Sequence, residues 1–174
     1  MTDRRFYKRV LALNIRPRRF GFVVFEGPTM LLDCGAKSFY SNGRPVKISA
    51  AEKIRTLLHD YSPSAIVVRK REGHADRARI LQSVQRLARE ARIPVTFVSR
   101  DEIVEAFTLA EANKHGVASV VAEQFLALVA KLPPRRKCWK SEDYRMSIFD
   151  AAAMGVAYFG RTKRVEQRES ATEN

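Results

Sequence analysis

The order of the apolar runs constrains this chain more than any other feature. Three of them follow one another between Val10 and Cys34, separated only by short polar turns. Val10 to Ile15 (VLALNI) reads as a buried strand, and Arg16-Pro17-Arg18-Arg19 turns the chain. Phe20 to Phe25 (FGFVVF), rich in β-branched and aromatic residues, makes a second strand. Glu26-Gly27-Pro28 is a turn signal, after which Thr29 to Cys34 returns as a third. Links this short suit antiparallel neighbours, so the chain opens on a meander.

The pattern then changes. Residues 41–46 (SNGRPV) form a polar loop, and Ser49 is a helix N-cap for a segment running to about Asp60. Ala65 to Val68 is a strand that ends in Arg69-Lys70-Arg71. Ile80, Leu81, Val84, Leu87, Ala88 and Ala91 recur at helical spacing over Ala75 to Ala91. Pro94 to Val98 is a further strand, and Arg100 to Phe107 a short helix. Val117, Val121, Phe125, Leu128 and Leu132 mark one long helix stopped by Pro133-Pro134. A basic loop over 135–142 leads to a last helix from about Asp143 to Phe159. Residues 1–160 are expected to form one domain, and 161–174 a polar, frayed tail. The order β-β-β-α-β-α-β-α-α-α implies right-handed crossovers and a parallel part to the sheet.

Composition narrows the class. The chain has 174 residues, is 45% hydrophobic and carries a formal net charge of +13. That is enough apolar chain for a packed core, and no apolar run is long enough to span a membrane. The polar start Met1-Thr2-Asp3-Arg4-Arg5 shows no signal peptide, and Cys34 and Cys138 make neither a disulfide framework nor a metal-ligand spacing. A cytoplasmic protein with reduced thiols is the expectation. The positive charge is clustered at residues 4–19, 69–79 and 131–140, which suits a polyanionic partner. His59, His74 and His115 share no ligand spacing. Trp139, between Lys137 and Lys140, either stacks on an unpaired base or pins the basic loop to the body. Gly21 is read as allowing close packing in the first hairpin.

Several segments together resemble the RuvC-like Holliday-junction resolvases of the ribonuclease-H-like fold. Val10 to Pro17 followed by Phe20-Gly21-Phe22-Val23-Val24 looks like that family's first hairpin, which carries Asp where Asn14 stands. Ser64 to Ile80, with Ala75-Asp76-Arg77-Ala78, is similar to its fourth strand and next helix. Asn113-Lys114-His115-Gly116-Val117 resembles a helix start where family members place a DNA-contacting Lys. Ile148-Phe149-Asp150-Ala151-Ala152-Ala153 resembles the last helix with its metal-binding Asp. The resemblance spans about residues 8–160. It implies an α/β fold: a five-stranded mixed sheet, three antiparallel strands then parallel βα units, flanked by helices. It also implies a homodimer acting on branched DNA.

The same resemblance implies a nuclease in which Mg²⁺ ions held by carboxylates activate a water and stabilise the leaving oxygen. This sequence keeps little of that carboxylate set. Asn14 replaces the first-strand Asp, the fourth-strand Glu falls among Val67, Val68 and Arg69, and Ser147 stands three residues before Asp150. Asp150 is the expected catalytic and metal residue, with Asn14 as a weak ligand and Asp143 as a substitute two turns earlier on the helix, roughly 10 Å away. Glu142, Glu72 and Asp33 are more remote substitutes, and Glu142 and Asp143 read more simply as acids at the positive end of a helix capped by Ser141. The expected nucleic-acid contacts are Arg16, Arg18, Arg19, Arg69, Lys70, Arg71 and Lys114. Cations beside the metal position would repel Mg²⁺ and attract a phosphate.

Three functions fit these residues. The leading one is a RuvC-like protein that binds branched or structured nucleic acid, DNA before RNA, with the nuclease site largely lost. The second is an active Mg²⁺-dependent structure-specific endonuclease built on Asp150 and substitute carboxylates. The third is a basic docking protein for an acidic protein or ribosomal RNA.

Overall fold

A computed structural model describes residues 8–41, 44–45, 49–70, 75–108 and 113–172. The meander forms as the turns require: β1 (Arg9–Arg16), β2 (Arg19–Glu26) and β3 (Leu31–Ser38) pair antiparallel, with Asn14 opposite Gly21. A short pair, β4 (Tyr40–Ser41) with β5 (Arg44–Pro45), follows outside the main sheet. Helix α1 (Ala50–Tyr61) starts at Ser49, whose hydroxyl accepts from the Glu52 amide while the Glu52 carboxylate accepts from the Ser49 amide. Strands β6 (Ala65–Arg69) and β7 (Val95–Val98) then add parallel to β1, joined through α2 (Ala75–Glu90). The sheet order is β3-β2-β1-β6-β7, so β1 sits centrally with an antiparallel neighbour on one side and a parallel one on the other.

Strand alternation sends side chains to two cores. Leu11, Leu13, Ile66 and Val68 pack with Ile54 and Leu57 of α1 and Val84 and Leu87 of α2. Val10, Ala12, Ala65 and Val67 pack on the opposite face, under α4 (Lys114–Gln124) and α6 (Met146–Thr172). Helix α3 (Arg100–Ala106) lies beside them. Among the described residues, no helix is long and apolar enough to cross a membrane.

Three element expectations are corrected. The long helix over 117–132 breaks at Phe125 into α4 and a four-residue α5 (Leu126–Val129). Phe125 takes an extended backbone there, and its buried ring meets Phe25 at 5.7 Å between centroids. The last helix begins at Met146, because residues 143–145 are spent on tight turns closed from Met146, Ser147 and Ile148 back to Asp143, Tyr144 and Arg145. It also runs on through residues 161–172, where a frayed tail is expected; Arg161 pairs with Glu102 and Arg164 with Glu105, tying this stretch to α3.

Glycine sets how closely α6 approaches. A methyl group on Gly21 would lie 2.2 Å from the Ser147 carbonyl oxygen, so only glycine lets the first turn of α6 rest on β2 at that point. Asp150, one turn further on, is thereby lowered onto β1.

Candidate nucleic-acid interface

The period of β1 places Asn14 and Arg16 on the α6 side of the sheet, continuing the row Val10, Ala12. Both reach Asp150. The Asn14 side-chain amide donates to Asp150 Oδ2 at 3.1 Å, and the Arg16 guanidinium donates to the same oxygen at 2.9 Å. Lys114, at the start of α4, brings its ammonium to 3.5 Å from that oxygen. Glu142 closes the cluster: its carboxylate takes Arg16 at 2.7 Å on one oxygen and Lys114 at 2.7 Å on the other. Two carboxylates and two cations therefore alternate around one small site at the carboxyl ends of the parallel strands.

Asn14 itself is buried and the Asp150 side chain is only 14% exposed, so the Asp150 carboxylate is the least solvent-screened charge of the four. Burial alone would push the Glu142 carboxyl up. The Lys114 hydrogen bond and the nearby Arg16 charge outweigh it and hold Glu142 below the usual glutamate range. The Arg16 Nε is buried with no hydrogen-bond partner among the described residues.

The carboxyl ends of β1 and β6 are held together by Arg77 of α2. Its buried guanidinium donates to the Ile15 carbonyl at 3.3 Å and the Arg69 carbonyl at 2.7 Å. Arg69 follows Val67 on the α6 side and lines a groove of about 920 Å³ that also includes Asn113, Lys114, Phe107, Phe149 and Asp150. The expected nucleic-acid residues thus divide. Arg16 and Lys114 meet at Asp150, and Arg69 borders the same groove. Arg18 is exposed on the β1–β2 turn, Arg19 lies near Asp143, and Lys70 is exposed just beyond β6. Arg71 and the substitute Glu72 lie outside the described residues, as does His74.

Asp143 is not two turns before Asp150 on a shared helix face; it precedes α6. Its carboxylate is engaged by Arg145, at 2.7 Å and 3.0 Å from the guanidinium and 2.9 Å from the backbone amide. Those hydrogen bonds hold it below the usual aspartate range. Asp33 is equally remote, accepting the Tyr61 hydroxyl at 2.6 Å, a bond that pushes the Tyr61 phenol up to about 12. His115 turns away from the groove to the Pro133 carbonyl. The reading of Ser141 as a cap with Glu142 in a first helical turn is also corrected: helix α6 starts later, which frees Glu142 to reach across to Arg16. That Arg16 shares a sheet face with Asn14 was findable from the two-residue strand period. Glu142 was not, because its position depends on where α6 begins.

These residues do not suit a divalent ion. Hard cations such as Mg²⁺ require several oxygen ligands and usually more than one carboxylate or phosphate. Here the shared Asp150 oxygen already receives an amide N–H, a guanidinium and an ammonium, so an added dication would face two positive groups at contact range. Among the described residues, no three His, Cys, Asp or Glu side chains gather at metal-binding distance.

A mixed five-stranded sheet in this order, with helices on both faces, is the ribonuclease-H-like fold in its RuvC form. Among solved structures the chain is similar to Thermus thermophilus RuvC in complex with a Holliday junction substrate, with 18% identity, 89% of this chain and 96% of that one covered, and a TM-score of 0.66. A second Thermus thermophilus RuvC structure shares 21% identity over 89% of this chain and 96% of that one, with a TM-score of 0.65. The Fowlpox virus resolvase in complex with Holliday junction DNA shares 11% identity over 88% and 98%, with a TM-score of 0.53. No protein-family model matches this sequence, and no curated protein matches it significantly.

Proposed function

We propose that this protein binds branched or structured DNA at the carboxyl ends of β1 and β6, and that it does so without metal-dependent cleavage. The observation that carries the reading is the contact of Arg16 and Lys114 with the one carboxylate, Asp150, that the resemblance assigns to metal. Arg and Lys in this position are phosphate ligands by chemistry: a guanidinium presents paired donors to two oxygens, and an ammonium serves as a point charge. The net charge of +13 supplies the long-range attraction. Two of the structural neighbours were solved on Holliday junctions, which favours branched DNA as the ligand to test. A homodimer is the assembly that the resemblance implies.

The test is a paired assay on a synthetic four-way junction with wild type and Asp150→Asn. Binding is followed in EDTA over a salt series, then cleavage in Mg²⁺ and in Mn²⁺. We expect binding that falls steeply with salt, with a logarithmic slope of about −0.9 per phosphate contacted, and intact DNA in both metals. Asp150→Asn should bind at least as well, since it removes a negative charge from the cluster. Cleavage by wild type that disappears in Asp150→Asn would overturn the reading and establish an active endonuclease. Absence of DNA binding would overturn it in favour of a docking surface for an acidic protein or ribosomal RNA.

A further inference from the structure

Residues 134–141, between α5 and α6, are exposed without interruption and include Arg135, Arg136, Lys137 and Lys140. Within them Trp139 is 75% exposed, so it does not pin the loop to the body. The Lys140 amide donates to the Lys137 carbonyl at 3.0 Å, closing a tight turn that carries Trp139 at its third position. The Lys137 ammonium lies 5.5 Å from the indole centroid. A tryptophan usually contributes its large ring to a core or an interface, and here that surface is offered to solvent between cations. Only two residues, Lys140 and Ser141, separate it from Glu142, which holds Arg16 and Lys114. Even a fully extended chain would leave the two α-carbons at most about 11 Å apart. A stacking surface and a pair of phosphate ligands therefore lie within reach of one short stretch of nucleic acid.

We infer that Trp139, on the basic turn Lys137–Lys140, is a stacking site for an unpaired base next to the phosphate ligands Arg16 and Lys114. The inference rests on the proposed nucleic-acid function and adds the form of the ligand: an unpaired nucleotide at a branch, gap or single-stranded end. A base inside an intact duplex has both faces covered by its neighbours and offers no face to the indole. Stacking on an exposed aromatic is tolerant of base identity, so the site selects for unpairing and not for sequence. The surrounding lysines and arginines fit the flanking phosphates.

Trp139 is the chain's one tryptophan, so its emission reports on this turn alone. The full-length protein is titrated with a single strand, a gapped duplex, a blunt duplex of the same sequence and vesicles containing an anionic phospholipid. We expect the single strand and the gapped duplex to quench the emission and the blunt duplex to leave it nearly unchanged. Trp139→Ala should weaken binding of the unpaired ligands by roughly five- to 150-fold. Its affinity for the blunt duplex should stay within about twofold, as for an ordinary exposed position. Trp139→Phe, which retains a ring, should lose less than Trp139→Ala. DNA binding with unchanged emission in every titration would overturn the inference, as would equal quenching and equal losses for duplex and single strand. Quenching by the anionic vesicles and not by DNA would overturn it in favour of a membrane surface. If wild type binds none of the DNAs, it is the underlying nucleic-acid reading that fails.

Discussion

At the scale of single residues, the site is governed by how its two cations are shared. Glu142 bridges Arg16 and Lys114, the two cations that the proposed function assigns to phosphate. Partly exposed ion pairs of this kind contribute about 0.2–1 kcal/mol each, so Glu142→Gln should tighten DNA binding by roughly two- to 30-fold at neutral pH, as measured by anisotropy titration. The same carboxylate should show in the pH dependence of stability. Its folded value is held below its unfolded one, so its contribution is present above the unfolded value, about 4.3, and is lost as pH falls through the folded value. The melting-temperature gap between wild type and Glu142→Gln should therefore be largest at neutral pH and shrink as pH falls below the usual glutamate range, read by thermal denaturation. Asp150 and Asn14 were legible only through the resemblance of the last helix and the first strand to those of the resolvases, and Arg16 through its place in the basic cluster that follows the first strand. Their contacts were not, since a side-chain network spanning β1, α4 and the loop before α6 is set by tertiary placement.

At the scale of elements, the close seat of α6 on β2 decides whether the site exists. Gly21→Ala would place a methyl group 2.2 Å from a backbone oxygen of α6, an atom that cannot swing aside. The overpacking should cost about 1–3 kcal/mol, a fall of roughly 2–12 °C in melting temperature by circular dichroism. Because Gly21 lies opposite Asn14, the displaced helix should also lose the Asn14–Asp150 bond. A melting temperature equal to that of wild type would show that α6 is not clamped there. The meander, the parallel βα units and the Ser49 cap were all readable in the sequence, because periodicity and capping chemistry are local. The break at Phe125 was not, since a helical pattern of apolar residues continues through it and only the pull of the core on one ring interrupts the backbone. The run of α6 over residues 161–172 was missed for the opposite reason: its polar sequence reads as a tail until Glu102 and Glu105 of α3 are there to pair with.

At the scale of the whole molecule, the charges of the site cancel among themselves while the chain as a whole carries +13. A fold whose site needed Mg²⁺ to relieve crowded carboxylates would be stabilised by the ion. A metal present at ten times its dissociation constant would contribute about 1.4 kcal/mol, or roughly 3–6 °C. Here the melting temperature should change by less than about 1 °C between EDTA and Mg²⁺, and a larger rise in Mg²⁺ would reveal a bound ion. The internal cancellation also has a kinetic side. A polyanion approaching from a distance senses the exposed cations of the 134–141 loop and not the self-paired cluster, so salt should act mainly on the association rate. On the proposed function, Arg16 and Lys114 would become available only after Glu142 and Asp150 had been displaced, a rearrangement inside the encounter complex. Stopped-flow traces would then separate a fast phase that slows with salt from a later, unimolecular phase whose rate saturates with DNA concentration, and residence time would be set by how readily two carboxylates reclaim their partners.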